Sequence, residues 1–233
     1  WSWQYTQYGF YQFAPSADLN VELVKADNTM SAKNGIYADG KYYFSTSYEM
    51  VGELLYMYWY CYDAGTLTQL SSDYFSYPDK EDLMTSACTY DPVTKQGYAV
   101  SLDAGGIVFF NSVDLESGTL TPIATGMPVQ LLAMAANSVG QLYGVGSDGK
   151  LYSVEKSTGG LTEIGATGVQ PEGDQSMAFS MMDGALYWCA YRQDGTSGLY
   201  EIDLQTGAAT LIGDMPENQR IVGLYVTDPD VLP

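Results

Sequence analysis

The sequence predicts an all-β chain, a five-bladed β-propeller in which one blade is closed by the N- and C-terminal strands. Three observations predict it. A small residue precedes an apolar one inside a short apolar run at Gly35-Ile36, Ala87-Cys88, Ala133-Met134, Ala178-Phe179 and Gly223-Leu224, at intervals of 52, 46, 45 and 45 residues. A period of about 40 to 50 residues marks one supersecondary unit copied round an axis. Each unit then carries the same succession of period-2 stretches bounded by glycine and aspartate, which read as strands joined by tight hairpins. The two ends of the chain, finally, look complementary, each supplying what the other lacks.

The elements follow in order within each unit. The small-apolar run is the innermost strand, because strands converging on one axis leave no room for large side chains at every level. A turn leads to a second strand centred on Tyr43, Tyr98, Tyr143 or Tyr187. The third strand alternates, as in Leu199-Tyr200-Glu201-Ile202-Asp203 and Leu151-Tyr152-Ser153-Val154-Glu155. A turn carrying Gly65, Gly118, Gly159 or Gly207 then opens the fourth; glycine reaches the positive φ that such turns demand. On this template Phe10-Tyr11-Gln12-Phe13 falls on Leu199-Tyr200-Glu201-Ile202, residues 19–23 on the fourth strand and residues 1–6 on the second. The missing first strand of that unit is expected from residues 221–226, so that the ring closes and its edges disappear.

The blade pattern resembles that of bacterial repeat propellers, whose units read small-apolar strand, glycine turn, Leu-Tyr strand, Leu-Tyr-x-Ile-Asp, Thr-Gly, Thr-x-Ile-Gly. The match is best in residues 184–213, GALYWCAYRQDGTSGLYEIDLQTGAATLIG, and 140–165, GQLYGVGSDGKLYSVEKSTGGLTEIG. The first two units depart from it, with longer insertions and VDLESGTLTPI in place of the third-to-fourth strand motif. The resemblance implies a secreted or surface-anchored binding module within a larger multidomain bacterial protein, extracellular, at the cell surface or periplasmic. Residues 226–233 resemble the start of a linker to a further domain.

Composition bounds the function. One propeller domain, 1–233, accounts for the whole length. The formal net charge is −19 with no histidine, which opposes phosphate backbones and makes nucleic acid an unexpected partner. No apolar run approaches the ~20 residues of a membrane helix, so membrane insertion is not expected. Cys61, Cys88 and Cys189 fall on a third, an innermost and a second strand, with neither disulfide nor metal spacing; Cys61 and Cys88 are the pair to test for a meeting between neighbouring blades. No cofactor is expected; oxygen ligands alone leave structural calcium as an option. The glycine-rich GVGSDG joins two strands rather than opening a helix, so it reads as a hairpin turn and not a phosphate loop.

Function on such a ring lives in the loops at one mouth, here 45–52, 71–84, 166–175, 190–198 and 213–220. Their aromatics beside carboxylates and amides suit a carbohydrate or a protein ligand. Tyr48, Tyr74 and Tyr77 are the candidates from the first two loops, Asp174 and Gln175 from the third, Tyr191, Arg192 and Asp194 from the fourth, and Glu217 and Arg220 from the fifth. Gln130, Gln175 and Arg220 each stand three residues before the small residue of an innermost strand, which should put them on one rim. Arg220 is either paired with a neighbour such as Glu217 or available to an acidic sugar or peptide group. The enzymatic alternative is a furanosidase-type glycoside hydrolase, but the axial segments contain none of the paired carboxyl groups that general acid and base work requires. A purely structural domain is the third reading. A monomer within its larger protein is expected.

Overall fold

The computed structural model describes residues 8–27, 32–46, 49–51, 54–76, 84–103 and 105–227. Two short strands, β1 (Gly9–Gln12) and β2 (Glu22–Ala26), form an antiparallel hairpin. The first blade follows with β3 (Ala32–Ala38), β4 (Lys41–Thr46), a short β5 (Glu49–Val51), β6 (Leu54–Asp63) and β7 (Gln69–Ser76). The ten-residue β6 pairs with β4 along its C-terminal half, with β5 along its N-terminal half, and with β7 on its other edge. The second blade is β8 (Met84–Asp91), β9 (Gln96–Leu102), β10 (Val108–Val113) and β11 (Leu120–Thr125). The third is β12 (Leu131–Ala136), β13 (Leu142–Gly146), β14 (Lys150–Val154) and β15 (Leu161–Ala166), and the fourth is β16 (Ser176–Phe179), β17 (Leu186–Tyr191), β18 (Ser197–Ile202) and β19 (Ala209–Asp214).

All four blades are antiparallel meanders that wind outward from the axis. A bulge between the third and fourth strands recurs in each, at Cys61/Tyr62, Phe110/Asn111, Leu151/Tyr152 and Leu199/Tyr200. Bulges raise the local right-handed twist, which a blade needs to pass from axis to rim. At the outer turn an acidic side chain closes the loop: Asp63 accepts from the Thr66 amide at 2.7 Å, Asp114 from Ser117 at 2.9 Å, Glu155 from Ser157 at 3.2 Å and Asp203 from Gln205 at 2.7 Å. These hydrogen bonds hold all four carboxyls below their ordinary pKa.

The propeller therefore has four blades, not the expected five. The hairpin of β1 and β2 does carry the blade bulge, at Phe10/Tyr11, so it has the geometry of a third and fourth strand. Residues 221–226 form no strand beside it. Gly223 turns the backbone to φ 91°, and the Tyr42 hydroxyl donates to the Gly223 carbonyl. The left-handed φ breaks the extended run there, and a side chain rather than a neighbouring strand meets that carbonyl. Residues 1–6 lie outside the described residues.

The core is divided among the spaces between blades. Val100, Phe110, Leu131, Leu142 and Val154 fill the one between the second and third blades, and Val145, Leu151, Phe179, Trp188 and Ile202 the one between the third and fourth. Ile36, Trp59, Ala99 and Val113 pack between the first and second. Between the fourth blade and the first, the hairpin and the C-terminal segment take over. Leu19, Val21, Ile221 and Leu224 pack on Cys189, Leu199 and Met215 of the fourth blade, while Phe10 and Tyr225 pack on Tyr42, Phe44 and Tyr62 of the first. The Tyr225 ring also stacks on Tyr37, centroids 4.5 Å apart and planes 7° from parallel. All three cysteines are free thiols.

Candidate functional site

The innermost strands β3, β8, β12 and β16 neighbour one another in that order round the axis. Side chains stitch them to the next backbone. Asn34 donates to the Thr85 carbonyl (3.2 Å) and hydroxyl (2.6 Å), Ser86 to the Leu131 carbonyl (2.8 Å), Cys88 to the Gly35 carbonyl (3.3 Å) and Ser176 to the Ile221 carbonyl (2.6 Å). A narrow channel of only about 10 Å3 runs between them, lined by Gly35, Ala87, Ala133, Met177 and Gly223 among others. The small residues anticipated at the axis are there because the strands leave space for little more. Ala178, the fourth of the series, is buried at 9% exposure.

Above the channel, on the mouth that carries the connections from second to third strands and from blade to blade, a depression of about 110 Å3 opens to solvent. Lys33, Thr46 and Met57 come from the first blade, Thr85, Ser86 and Leu102 from the second, Gln130 and Leu132 from the third or the loop before it, and Gly173 and Asp174 from the loop before the fourth. The floor is apolar through Met57, Leu102 and Leu132. Its hydroxyls are already engaged, Thr46 accepting from the Tyr58 amide and Thr85 and Ser86 in the stitches just described. The Lys33 ammonium meets the Asp174 carboxylate at 2.9 Å across the depression; both are partly exposed, so the pair is worth about 0–1 kcal/mol and can be opened. The Gln130 carboxamide makes no hydrogen bond among the described residues.

Beside this depression the loop that precedes the fourth blade is clamped onto that blade. The Glu172 amide and the Gln175 carboxamide both donate to the Tyr191 carbonyl, at 2.9 and 3.1 Å, Gln193 donates to the Gln170 carbonyl, and Pro171 bridges to Arg192. On this fixed platform the Arg220 guanidinium sits over the Tyr191 ring, its carbon 3.6 Å from the ring centroid. One of its terminal nitrogens is 3.5 Å from where a β-carbon on Gly173 would sit, which puts it at the edge of the depression. Arg220 is exposed and forms no ion pair or hydrogen bond among the described residues; Glu217, the partner anticipated for it, is exposed in the turn Pro216–Asn218 at φ 53°.

The remaining candidates divide by fate. Gln175 is 2% exposed, and its carboxamide also accepts from the Trp188 indole at 2.9 Å, so it holds the platform from within. Arg192 is bound on every side, to Thr196 (2.6 Å), the Tyr200 hydroxyl (2.8 Å) and Asp214 (2.6 Å). Asp194 closes the turn at Thr196, whose amide and hydroxyl hold its carboxyl below the ordinary value. Tyr74 lies on β7, in a stretch expected as loop, with its ring 6.5 Å from that of Tyr58. Tyr48 and Tyr77 lie outside the described residues. Sequence reasoning missed Lys33, Thr85, Ser86 and Leu132, although one signal was present. Each stands one or two residues before the small residue of an innermost strand, one step inward from the rim position of Gln130 and Arg220. Asp174 is the one carboxylate among the described residues lining the depression, and it is ion-paired.

Fold and site together define a four-bladed β-propeller with an amphipathic hollow at one mouth. No protein-family model matches the chain, and no curated protein matches it. Solved structures similar to it include the major allergen Mala s 1 of Malassezia sympodialis, at 13% identity over 80% of this chain and 63% of that one, with a TM-score of 0.47. TolB from Acinetobacter baumannii is similar at 14% identity over 72% of this chain and 57% of that one, TM-score 0.39. YCF48, solved with a D1 peptide bound, is similar at 14% identity over 76% of this chain and 50% of that one, TM-score 0.38. The chain thus spans about half to two thirds of the length of these structures, and at such scores the fold rests on the strand order above rather than on the likenesses.

Proposed function

We propose that this propeller is a binding module whose ligand, a protein, enters the hollow at the mouth between Lys33, Gln130 and Asp174. The observation that carries the reading is the contrast between that hollow and the rest of the mouth. Three of the other polar candidates at this mouth, Gln175, Arg192 and Asp194, are consumed by the fold. Around the hollow stand the unengaged Gln130 carboxamide, the Arg220 guanidinium and an ion pair weak enough to open. Few polar groups over an apolar floor on a rigid frame is the usual make-up of a recognition site.

A carbohydrate is the second reading, and it is weakened by the same geometry. The floor offers Met57, Leu102 and Leu132 where a pyranose would want an aromatic face. Tyr191, the ring at the edge, has one face covered by Arg220. An extracellular or cell-surface setting rests on the blade motif's resemblance. Burial pushes the thiols of Cys88 and Cys189 far above their ordinary pKa, which keeps them inert in an oxidising compartment. The test is a pair of screens with the intact chain, one of peptides and one of glycans, each repeated with Gln130→Trp, which fills the hollow. Binding lost in that variant at unchanged melting temperature supports the site; binding that ignores the substitution removes it.

A further inference from the structure

Resting on the binding-module reading, we infer that the hollow takes one apolar side chain of a peptide while Arg220 takes a carboxylate immediately beside it. Three features of the mouth lead there. The hollow is small, with its apolar floor at Met57, Leu102 and Leu132, so it accommodates one anchoring side chain rather than a run of them. Arg220 stands at its edge beside Gly173, whose missing side chain leaves the space between the guanidinium and the hollow clear. The two subsites therefore lie within reach of one residue or two adjacent ones, given a spacing of 3.8 Å between successive α-carbons.

The state of Arg220 specifies the charge. The contact over Tyr191, 3.6 Å from the ring centroid, occupies the guanidinium with the ring, and one of its terminal nitrogens stands beside Gly173 at the edge of the hollow, leaving the N–H donors at the guanidinium's edge to a ligand. That edge matches a carboxylate in bidentate fashion, and the contact with the ring holds the fork in place before the ligand arrives. In a chain of net charge −19, this exposed guanidinium, with no ion pair among the described residues, is a cation open to a ligand carboxylate. Glu172 and Asp174 flank Gly173 and Glu217 precedes Arg220 by three residues, so a run of ligand carboxylates would meet like charge. The ligand chemistry is therefore an apolar side chain next to a single carboxylate, either the α-carboxylate of an apolar C-terminal residue or an isolated Asp or Glu beside such a residue.

The experiment uses bead-bound random hexapeptides, prepared once with free and once with amidated C termini, panned on the intact chain. Enrichment of apolar last residues confined to the free set identifies the terminal source; enrichment of an apolar residue adjacent to Asp or Glu in both sets identifies the side-chain source. Either supports the inference provided the resynthesised peptide loses about tenfold or more in affinity both on Arg220→Ala and when its carboxylate is replaced by the amide. Arg220→Lys should recover only part of that loss, because an ammonium cannot fork. Enriched peptides that lack a carboxylate, or that ignore Arg220→Ala yet are lost in Gln130→Trp, overturn the inference and leave the mouth site standing. Peptides indifferent to both substitutions overturn both. Empty peptide screens beside a glycan that Gln130→Trp displaces overturn the peptide inference alone.

Discussion

Gly223 and Asp91 show how much of this ring hangs on single positions. Gly223 sits where the C-terminal segment crosses between the fourth blade and the first, at φ 91°, and a β-carbon there would overlap the Tyr42 hydroxyl that caps its carbonyl. Gly223→Ala should therefore cost about 1–3 kcal/mol, from the disfavoured φ and the displaced tyrosine together; an unchanged denaturant midpoint would remove the segment from the closure of the ring. Asp91 ends the innermost strand of the second blade with its side chain fully buried. It accepts from the Val93 amide (2.8 Å) and the Thr94 hydroxyl (2.6 Å) and pairs with Lys156 of the third blade at 2.7 Å. Burial alone would raise its pKa, but Lys156 and the hydrogen bonds outweigh it and hold the carboxyl below the ordinary 3.8. A carboxyl lowered in the folded state stabilises above its unfolded pKa and loses that contribution as pH falls through the folded one. Asp91→Asn should accordingly melt earlier at neutral pH and lose less of its remaining stability than the parent as the pH is taken below about 4. Parallel acid limbs for the two proteins, measured by thermal melts across that window, would show that the pair with Lys156 contributes nothing.

At the scale of the strand, the period was legible because the axis restricts volume, and volume is written in residue type. Ala87 and Ala133 are each 1% exposed and line the channel with Gly35. Ala133→Leu should thus destabilise by about 1–3 kcal/mol through overpacking, whereas Ala166→Leu at the exposed end of β15 should stay within about 0.5 kcal/mol. Equal effects at the two alanines would mean that the inner strands are not tightly packed. Third-strand tyrosines and glycine turns were legible for the same reason, each being a local demand on twist or φ. What sequence could not distinguish is whether residues 221–226 pair as a strand. Their continuous apolar run suits a strand, and it suits equally the packing of Ile221 and Leu224 on the fourth blade and Tyr225 on the first. A non-local choice decided the matter, the Tyr42 hydroxyl reaching 181 residues along the chain to the Gly223 carbonyl. The site was half legible for a related reason. Gln130 and Arg220 could be placed on one mouth by their offset, but Gln175, at the same offset, was consumed by Trp188 and the Tyr191 carbonyl, and no local pattern announces such a partner.

For the whole molecule, the buried tyrosines Tyr42, Tyr43, Tyr62 and Tyr152 tie the spaces between blades to pH. Burial, then the neighbouring Cys88 and Tyr225, raises Tyr42 well above the ordinary phenol value of 10.0. Burial raises Tyr62 and Tyr152 as well, followed by hydrogen bonds to Asp27 (2.8 Å) and Asp148 (2.6 Å), and burial with Cys61 beside it takes Tyr43 to about 12. A phenol raised in the folded state stabilises below its unfolded pKa and loses that contribution as pH rises through the folded one. Above pH 10 these rings resist ionisation in the fold and ionise freely in the unfolded chain, so the balance tips toward unfolding just as each new phenolate adds to a net charge of −19. Alkaline titration should then resolve a set of tyrosines that ionise only together with loss of the sheet signal, read by parallel absorbance and circular dichroism. Tyr62→Phe, which keeps the ring among Phe10 and Phe44 at 5.3 and 5.5 Å and removes the ionisable hydroxyl, should shift that step to higher pH. The step should not shift if Tyr62 plays no part in alkaline unfolding, and a single smooth titration of all the tyrosines with the sheets intact would show that the spaces between blades admit hydroxide without opening.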